Sequence, residues 1–158
     1  MNITLKSFPE TQVAYMRHVG SFEGPGIAQM WQRLITWCIA SGLSPLRHNR
    51  FGVTLDDPAR TPPDQCRYDA CIEVGSTFAV SGDVGLRTLS GGLFACVPFT
   101  GTAEAIDQAW RQFYNKALPA AGYNLDRRPP MEFYAAGGPI DENAGTFSCD
   151  LCVAVTDV

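Results

Sequence analysis

The chain has 158 residues and a net charge of −4, with 46% hydrophobic and 18% charged residues. This is the size and composition of one globular domain. No apolar run approaches the ~18 residues of a membrane-spanning helix, and no basic patch followed by an apolar segment opens the chain. We therefore predict no membrane span and no secretory signal, and expect a cytoplasmic protein. The acidic balance argues against direct nucleic-acid binding.

The six cysteines are predicted to be free thiols, because the chain is large enough to form a core without disulfides and has no secretory signal. Cys149 and Cys152 have the spacing of a metal-binding pair, but they lie in a strand-like run. Residues three apart on a strand face opposite sides, so they cannot bind one metal ion. No cofactor motif occurs, so we predict neither a metal nor a cofactor.

The two halves of the chain repeat each other at an offset of 81 residues. Residues 3–8 align with 84–89, and residues 66–74 align with 147–155. The sequence therefore predicts a single domain over residues 1–158, made of two pseudo-symmetric units, 1–81 and 82–158.

Each unit shows the same predicted order of elements, two strands, one helix and two strands. In the first unit the strands are predicted at 3–8, 12–19, 50–55 and 67–74, and in the second at 84–89, 93–99, 131–136 and 147–155. Polar linkers rich in proline or glycine, 57–64 and 137–143, separate the last two strands of each unit. The predicted class is α+β, with antiparallel sheets, one helix packed on each, and a ligand cleft between the units.

The helix of the first unit is predicted to begin with Pro25 as its first residue and to end at Ser41 and Gly42. The helix of the second unit is predicted to be capped by Thr102 and ended by Pro119. The tryptophans at positions 31, 37 and 110 fall at helical spacing, which is more typical of a core than of a ligand cage.

Glu132 interrupts the repeat. The strand at 51–55 alternates with Phe51 on its apolar face, and the offset of 81 puts Glu132 at the same position. A carboxylate removed from water is costly unless it is paired, protonated or offered a cation, so we interpret Glu132 as a candidate functional residue. The alternative is a one-residue register slip that leaves Glu132 on the solvent side.

Asp69 and Asp150 are equivalent in the repeat. As strand residues they could face each other near a pseudo-twofold axis and form a second site. They could equally bond the backbone of the linkers.

Several segments, in the same order along the chain, carry a resemblance to a known family. They are Val13–Gly20 before a tryptophan-containing helix, Asp56–Pro58, Thr61–Asp64, Arg67–Cys71, Gly91–Ala95, Leu118–Tyr123 and Pro129–Tyr134. Together they resemble the GyrI-like family, which shares its domain with effector-binding modules of AraC-type and multidrug-sensing MerR-type regulators. The resemblance implies strand–helix–strand–strand units around a pseudo-twofold axis with a ligand cleft between them. It also implies a stand-alone member, because no segment matches the regulators' DNA-binding domain.

The resemblance further implies binding of bulky, hydrophobic, often cationic compounds through aromatic walls and one buried glutamate, which corresponds to Glu132. We expect Glu132 to supply charge and Tyr134, Tyr68, Trp110 and Phe147 to supply stacking and cation–π contacts. One alternative is hydrolysis of cyclopropane-containing genotoxins with Glu132 as the base. Another is a protein partner, gyrase or a regulator, by analogy with gyrase inhibition.

Overall fold

The computed structural model describes residues 1–80, 82–138 and 145–156, and it confirms the α+β class. The described residues form eight strands: β1 (Thr4–Phe8), β2 (Thr11–Val19), β3 (Arg50–Thr54), β4 (Arg67–Glu73), β5 (Gly85–Leu89), β6 (Gly92–Gly101), β7 (Met131–Tyr134) and β8 (Phe147–Ala154). Their order in the sheet is β1-β6-β8-β7-β3-β4-β2-β5, and each pairing is antiparallel. The strands of both units therefore join in one sheet through β3 and β7. Most of the predicted linker at 137–143 lies outside the described residues.

The strand pairings follow the same pattern in both units. Arg17 of β2 pairs with Asp69 of β4, and Pro98 of β6 pairs with Asp150 of β8. These are the positions that the offset of 81 aligns. The pairing supports the repeat, and the twofold relation between the units stays a prediction.

The first helix, α1 (Gly26–Ala40), turns Met30, Leu34 and Cys38 into the core. Pro25 is its N-cap instead of its first residue, so that part of the prediction was wrong. The helix ends as predicted, at Ser41 and a left-handed Gly42 (φ 79°).

The second helix, α2 (Ala103–Gln112), begins as predicted, with the Thr102 side chain accepting a hydrogen bond from the Ala105 backbone N–H. The prediction that Pro119 ends it was wrong. A π-helical turn (Phe113–Ala117) follows, and then α3 (Leu118–Ala121), which ends at a left-handed Gly122. Pro119 lies directly after the π-helical turn, and the helical segment continues past it to Ala121.

Side chains from both faces of the sheet are buried. On the helix-covered face, α1 packs on β2 and β4, and α2 packs on β6. The opposite face carries a cluster that contains no helical residue, with Val13, Phe51, Val53, Cys71, Phe94, Cys96, Met131, Cys152 and Ala154 at its centre. All six cysteines are free and buried, and Cys149 and Cys152 lie on opposite faces, as predicted. Within the described ranges, the helices are too short or too polar to cross a bilayer.

Glu132 does not occupy the position of Phe51, so that prediction was wrong. Phe51 pairs with Phe133, and Gly52 pairs with Glu132. Directly paired residues share a face of the sheet, so Phe133 is the counterpart of Phe51. The register is therefore slipped by one residue, but the slip turns Glu132 toward the helix-covered face, where it is 9% exposed.

The offset of 81 holds for the paired residues of β6 and β8 but not for β7. A shift of one residue exchanges the two faces of a strand, so the faces of β7 are reversed relative to those that the offset predicts.

Candidate ligand-binding site

Glu132 lies near the middle of the sheet, in β7, and is held by two tyrosines. The hydroxyl of Tyr68 in β4 donates to Glu132 Oε1 at 2.8 Å, and the hydroxyl of Tyr134 in β7 donates to the same oxygen at 2.9 Å. The side chains meet because β3 brings β4 and β7 together, and all three side chains point to the helix-covered face.

The second oxygen of the carboxylate has a different environment. Oε2 of Glu132 accepts no hydrogen bond from the described residues. Among the described residues, every fully buried side-chain nitrogen or oxygen has a hydrogen-bond partner, so Oε2 retains at least slight access to solvent. One oxygen is thus held by two hydroxyl groups, while the other is free to accept a further partner.

The protonation of Glu132 reflects opposing effects. Burial raises the pKa of its carboxyl above the ordinary value, and the negative charge of Asp107 in α2 adds to this shift. The hydrogen bonds from Tyr68 and Tyr134 act in the opposite direction because they stabilise the ionised form. The site can therefore hold a carboxylate whose charge is destabilised by burial and would be compensated by a cation.

Gly52 makes the close approach of these groups possible. A Cβ atom at this position would lie 2.0 Å from Tyr68 Oη and 2.6 Å from Glu132 Oε1. The missing side chain leaves the space through which Tyr68 reaches Glu132. Any other residue here would displace one of the two.

Aromatic rings surround the carboxylate. The indole N–H of Trp31 donates to Tyr68 Oη at 3.0 Å, and the Trp31 ring packs edge-on against Tyr134 with centroids 5.5 Å apart. Phe147 packs on the other side of Tyr134 at 6.3 Å. We call Glu132, Tyr68, Tyr134, Trp31 and Phe147 the Glu132 site.

A cation also lies in this cluster. The guanidinium carbon of Arg50 lies 4.9 Å from the centre of the Tyr134 ring and 5.4 Å from that of Trp31. Sequence reasoning missed Arg50, and it interpreted Trp31 as a core residue. No local signal identifies either of them, because their contacts depend on the pairing of β3 with β7.

The structure brings together most of the predicted site residues. Glu132, Tyr68, Tyr134 and Phe147 form one cluster. Trp110 stacks instead on Phe113 and Tyr114 at 6.2 and 5.9 Å, and no described ring contact joins it to the other four.

Asp69 and Asp150 do not face each other, because β3 and β7 lie between their strands. Asp69 is fully buried and accepts hydrogen bonds from Arg17 at 2.8 and 3.0 Å and from Arg87. Asp150 forms an ion pair with Lys6 at 2.6 Å. Both carboxylates are thus paired with cations from other strands of the sheet, and neither predicted role applies.

Two surface concavities lie away from Glu132. One of about 630 Å³ lies against α1 beside His18, and one of about 760 Å³ lies between the N-terminal residues and the helical segment that follows α2. Neither is lined by a residue of the Glu132 site. Glu132 is only 9% exposed. A large molecule that binds against its carboxylate must therefore displace neighbouring side chains.

Comparison with known proteins agrees with the resemblance seen in the sequence. The chain is 30% identical over 138 residues to the prophage-derived protein YosT of Bacillus subtilis strain 168; the match covers 86% of this chain and 90% of that protein. It is 26% identical over 158 residues to the DNA gyrase inhibitor of Escherichia coli K12, covering 98% and 97%.

Two solved structures share the fold. The C-terminal domain of EcmrR matches with a TM-score of 0.72 at 15% identity, over 99% of this chain and 98% of that one. SAV2435 bound to tetraphenylphosphonium matches with a TM-score of 0.65 at 14% identity, over 99% and 94%. The family model described as a GyrI-like small molecule binding domain matches residues 1–156. The chain therefore belongs to the GyrI-like family of small-molecule binding domains.

Proposed function

We propose that the chain binds a bulky, hydrophobic, cationic small molecule at the Glu132 site. The observation that carries this proposal is the buried carboxylate, one oxygen of which is held by Tyr68 and Tyr134 while the other accepts no hydrogen bond from the described residues. A cation placed against Oε2 would compensate the burial of this charge.

The chemistry of the surrounding side chains supports the same ligand class. Aromatic faces attract cations, and each such contact contributes roughly 0.5–2 kcal/mol. Tyr134, Trp31 and Phe147 supply faces beside the carboxylate, and we propose that Trp110 contacts the outer part of the bound ligand. SAV2435, which shares the fold, is bound to a cation with four aryl groups.

Calorimetric titration tests the proposal with two probes, tetraphenylphosphonium and the neutral aryl compound triphenylphosphine oxide. In Glu132→Gln we expect the affinity for the cation to fall roughly ten- to 150-fold, which corresponds to ~1.5–3 kcal/mol for a charged partner. The neutral compound should lose little, because its binding depends on apolar burial.

The matched control is Glu104→Gln, which removes one negative charge from an exposed position in α2. It should leave both affinities unchanged. Equal losses for both probes in Glu132→Gln would show that Glu132 has a structural role, and the absence of any binding by the wild type would refute the proposal.

The accessible Oε2 also supports a second candidate, hydrolysis, because an unpaired carboxylate oxygen can accept a proton from water. Incubation with a cyclopropane-containing alkylating compound, followed by mass analysis, separates the two functions. A hydrolase opens the ring faster than buffer does, and its Glu132→Gln variant binds without turnover. A binding protein returns the compound unchanged.

The name of the E. coli relative supports a third candidate, a protein partner. A DNA supercoiling assay with purified gyrase tests it directly. Inhibition that increases with the concentration of the chain would support a gyrase interaction, and supercoiling at the rate of gyrase alone would exclude it under those conditions.

A further inference from the structure

Arg50 lies where the proposed ligand needs aromatic surface. It is the first residue of β3 and pairs directly with Tyr134 of β7, so the two side chains share the helix-covered face. Its guanidinium lies over the rings of both Trp31 and Tyr134. Both residues are also hydrogen-bonded to the Glu132 site. Trp31 donates to Tyr68, which donates to Glu132, and Tyr134 donates to Glu132 directly.

Little else holds this cation in place. Among the described residues, the Arg50 guanidinium takes part in no salt bridge or hydrogen bond. Other arginines with ring contacts differ in this respect, since Arg17 and Arg87 are paired with Asp69. Partial burial lowers the pKa of Arg50, because the charged form is less stable away from water.

We propose that Arg50 determines the ligand specificity of the Glu132 site: its guanidinium occupies the faces of Trp31 and Tyr134 as an internal cation, and a cationic ligand binds by displacing it. This inference rests on the proposed function. The long side chain starts at the end of a strand, so it can move toward solvent while the backbone of β3 stays in place.

Displacement of an internal cation selects a particular class of ligand. Arg50 is attached to the chain, so its effective concentration at the rings is high. A small cation gains only the same cation–π contact and competes poorly. A large, weakly hydrated aryl cation also buries apolar surface, and this additional contribution allows it to replace the guanidinium.

Titration of Arg50→Met with tetraphenylphosphonium and with tetramethylammonium tests the proposal, since methionine keeps a flexible chain of similar length without charge. We expect tetraphenylphosphonium to bind roughly two- to thirtyfold more tightly than to the wild type, the range of one cation–π contact. Tetramethylammonium should bind measurably only to Arg50→Met. Arg50→Lys, which retains a cation, should remain close to the wild type.

The matched control is Arg33→Met, which removes an exposed positive charge from α1 and should leave both affinities unchanged. Thermal unfolding of each variant verifies that it is folded. If Arg50→Met does not fold, the NMR measurement on the wild type, with the Arg50 signal assigned from its absence in Arg50→Lys, still tests the proposal. Unchanged or weaker binding of tetraphenylphosphonium to folded Arg50→Met, or an equal gain in Arg33→Met, would overturn the proposal.

NMR observes the displacement directly. The Arg50 Nε–H signal, assigned by its absence in Arg50→Met, should be shifted by the ring currents of Trp31 and Tyr134 in the free protein. It should move to the position of an exposed arginine at saturating tetraphenylphosphonium; a signal that stays in place would refute displacement. If the wild type binds and Glu132→Gln weakens binding while Arg50 stays in place, this inference alone fails. If the wild type does not bind, the proposed function itself fails.

Discussion

Replacement of Tyr68 by Phe removes one hydroxyl from the centre of the Glu132 site. That hydroxyl donates to Glu132 Oε1 and accepts from Trp31 Nε1, at 2.8 and 3.0 Å. The donated bond stabilises the ionised carboxylate and opposes the effect of burial on its pKa. In Tyr68→Phe the pKa of Glu132 should therefore rise further, and less of the carboxylate should be ionised at mildly acidic pH.

The size of the effect follows from the burial of the bond. A hydrogen bond to a charged group contributes ~1.5–3 kcal/mol, and Tyr68 is only 3% exposed, so water does not readily replace it. This corresponds to a roughly ten- to hundredfold change in the ionisation equilibrium of Glu132. Since a cationic ligand requires the ionised form, its affinity should fall as pH decreases, and in Tyr68→Phe it should fall at a higher pH than in the wild type.

The assay is titration of tetraphenylphosphonium over a series of pH values in the wild type, Tyr68→Phe and Tyr134→Phe. The last variant is the matched control, because Tyr134 donates to the same oxygen but is half-buried, so water can partly replace its hydroxyl. We expect the pH of half-maximal affinity to rise most in Tyr68→Phe and less in Tyr134→Phe. A midpoint in Tyr68→Phe that coincides with that of the wild type would refute the reasoning.

Three further predictions concern stability, each measured by urea denaturation. Gly52→Ala should lower the free energy of unfolding by ~1–3 kcal/mol, because its Cβ overlaps with Tyr68 Oη; an unchanged midpoint would show that the site has room to adjust. Asp69→Asn should cost ~1.5–3 kcal/mol, because it removes the charge of a fully buried carboxylate that accepts hydrogen bonds from two partly exposed arginines, whereas Asp150→Asn, at a partly exposed pair, should cost at most ~1 kcal/mol; equal losses would contradict this. The stability of the wild type relative to Glu132→Gln should decrease as pH rises, because a carboxyl whose folded-state pKa is raised loses its contribution as it ionises; a pH-independent difference would show that burial does not affect Glu132.

The sequence by itself determined the class of the fold, the order of its elements and most of their bounds. Strand alternation, turn residues and the cap at Thr102 are local signals, and local structure follows them here. The internal repeat stays a prediction. It aligned Lys6 with Arg87 and Asp69 with Asp150, and these are the partners in two of the ion pairs.

The sequence also singled out Glu132, although one part of the reasoning was wrong. The comparison with Phe51 assumed a constant offset, and the register of β7 against β3 does not follow that offset. A strand with apolar residues on both faces gives no local signal of which face is which, so the sequence could not reveal the change. The family resemblance identified Glu132 independently of the offset.

Only the tertiary structure decided which face of the sheet Glu132 occupies and what surrounds it. The side-chain period of a strand is two, so a shift of one residue exchanges its faces. The register of β3 against β7 places Gly52 opposite Glu132 and Arg50 opposite Tyr134. That register joins residues 78 to 84 positions apart in sequence, and it depends on the packing of the whole sheet because no turn connects the two strands.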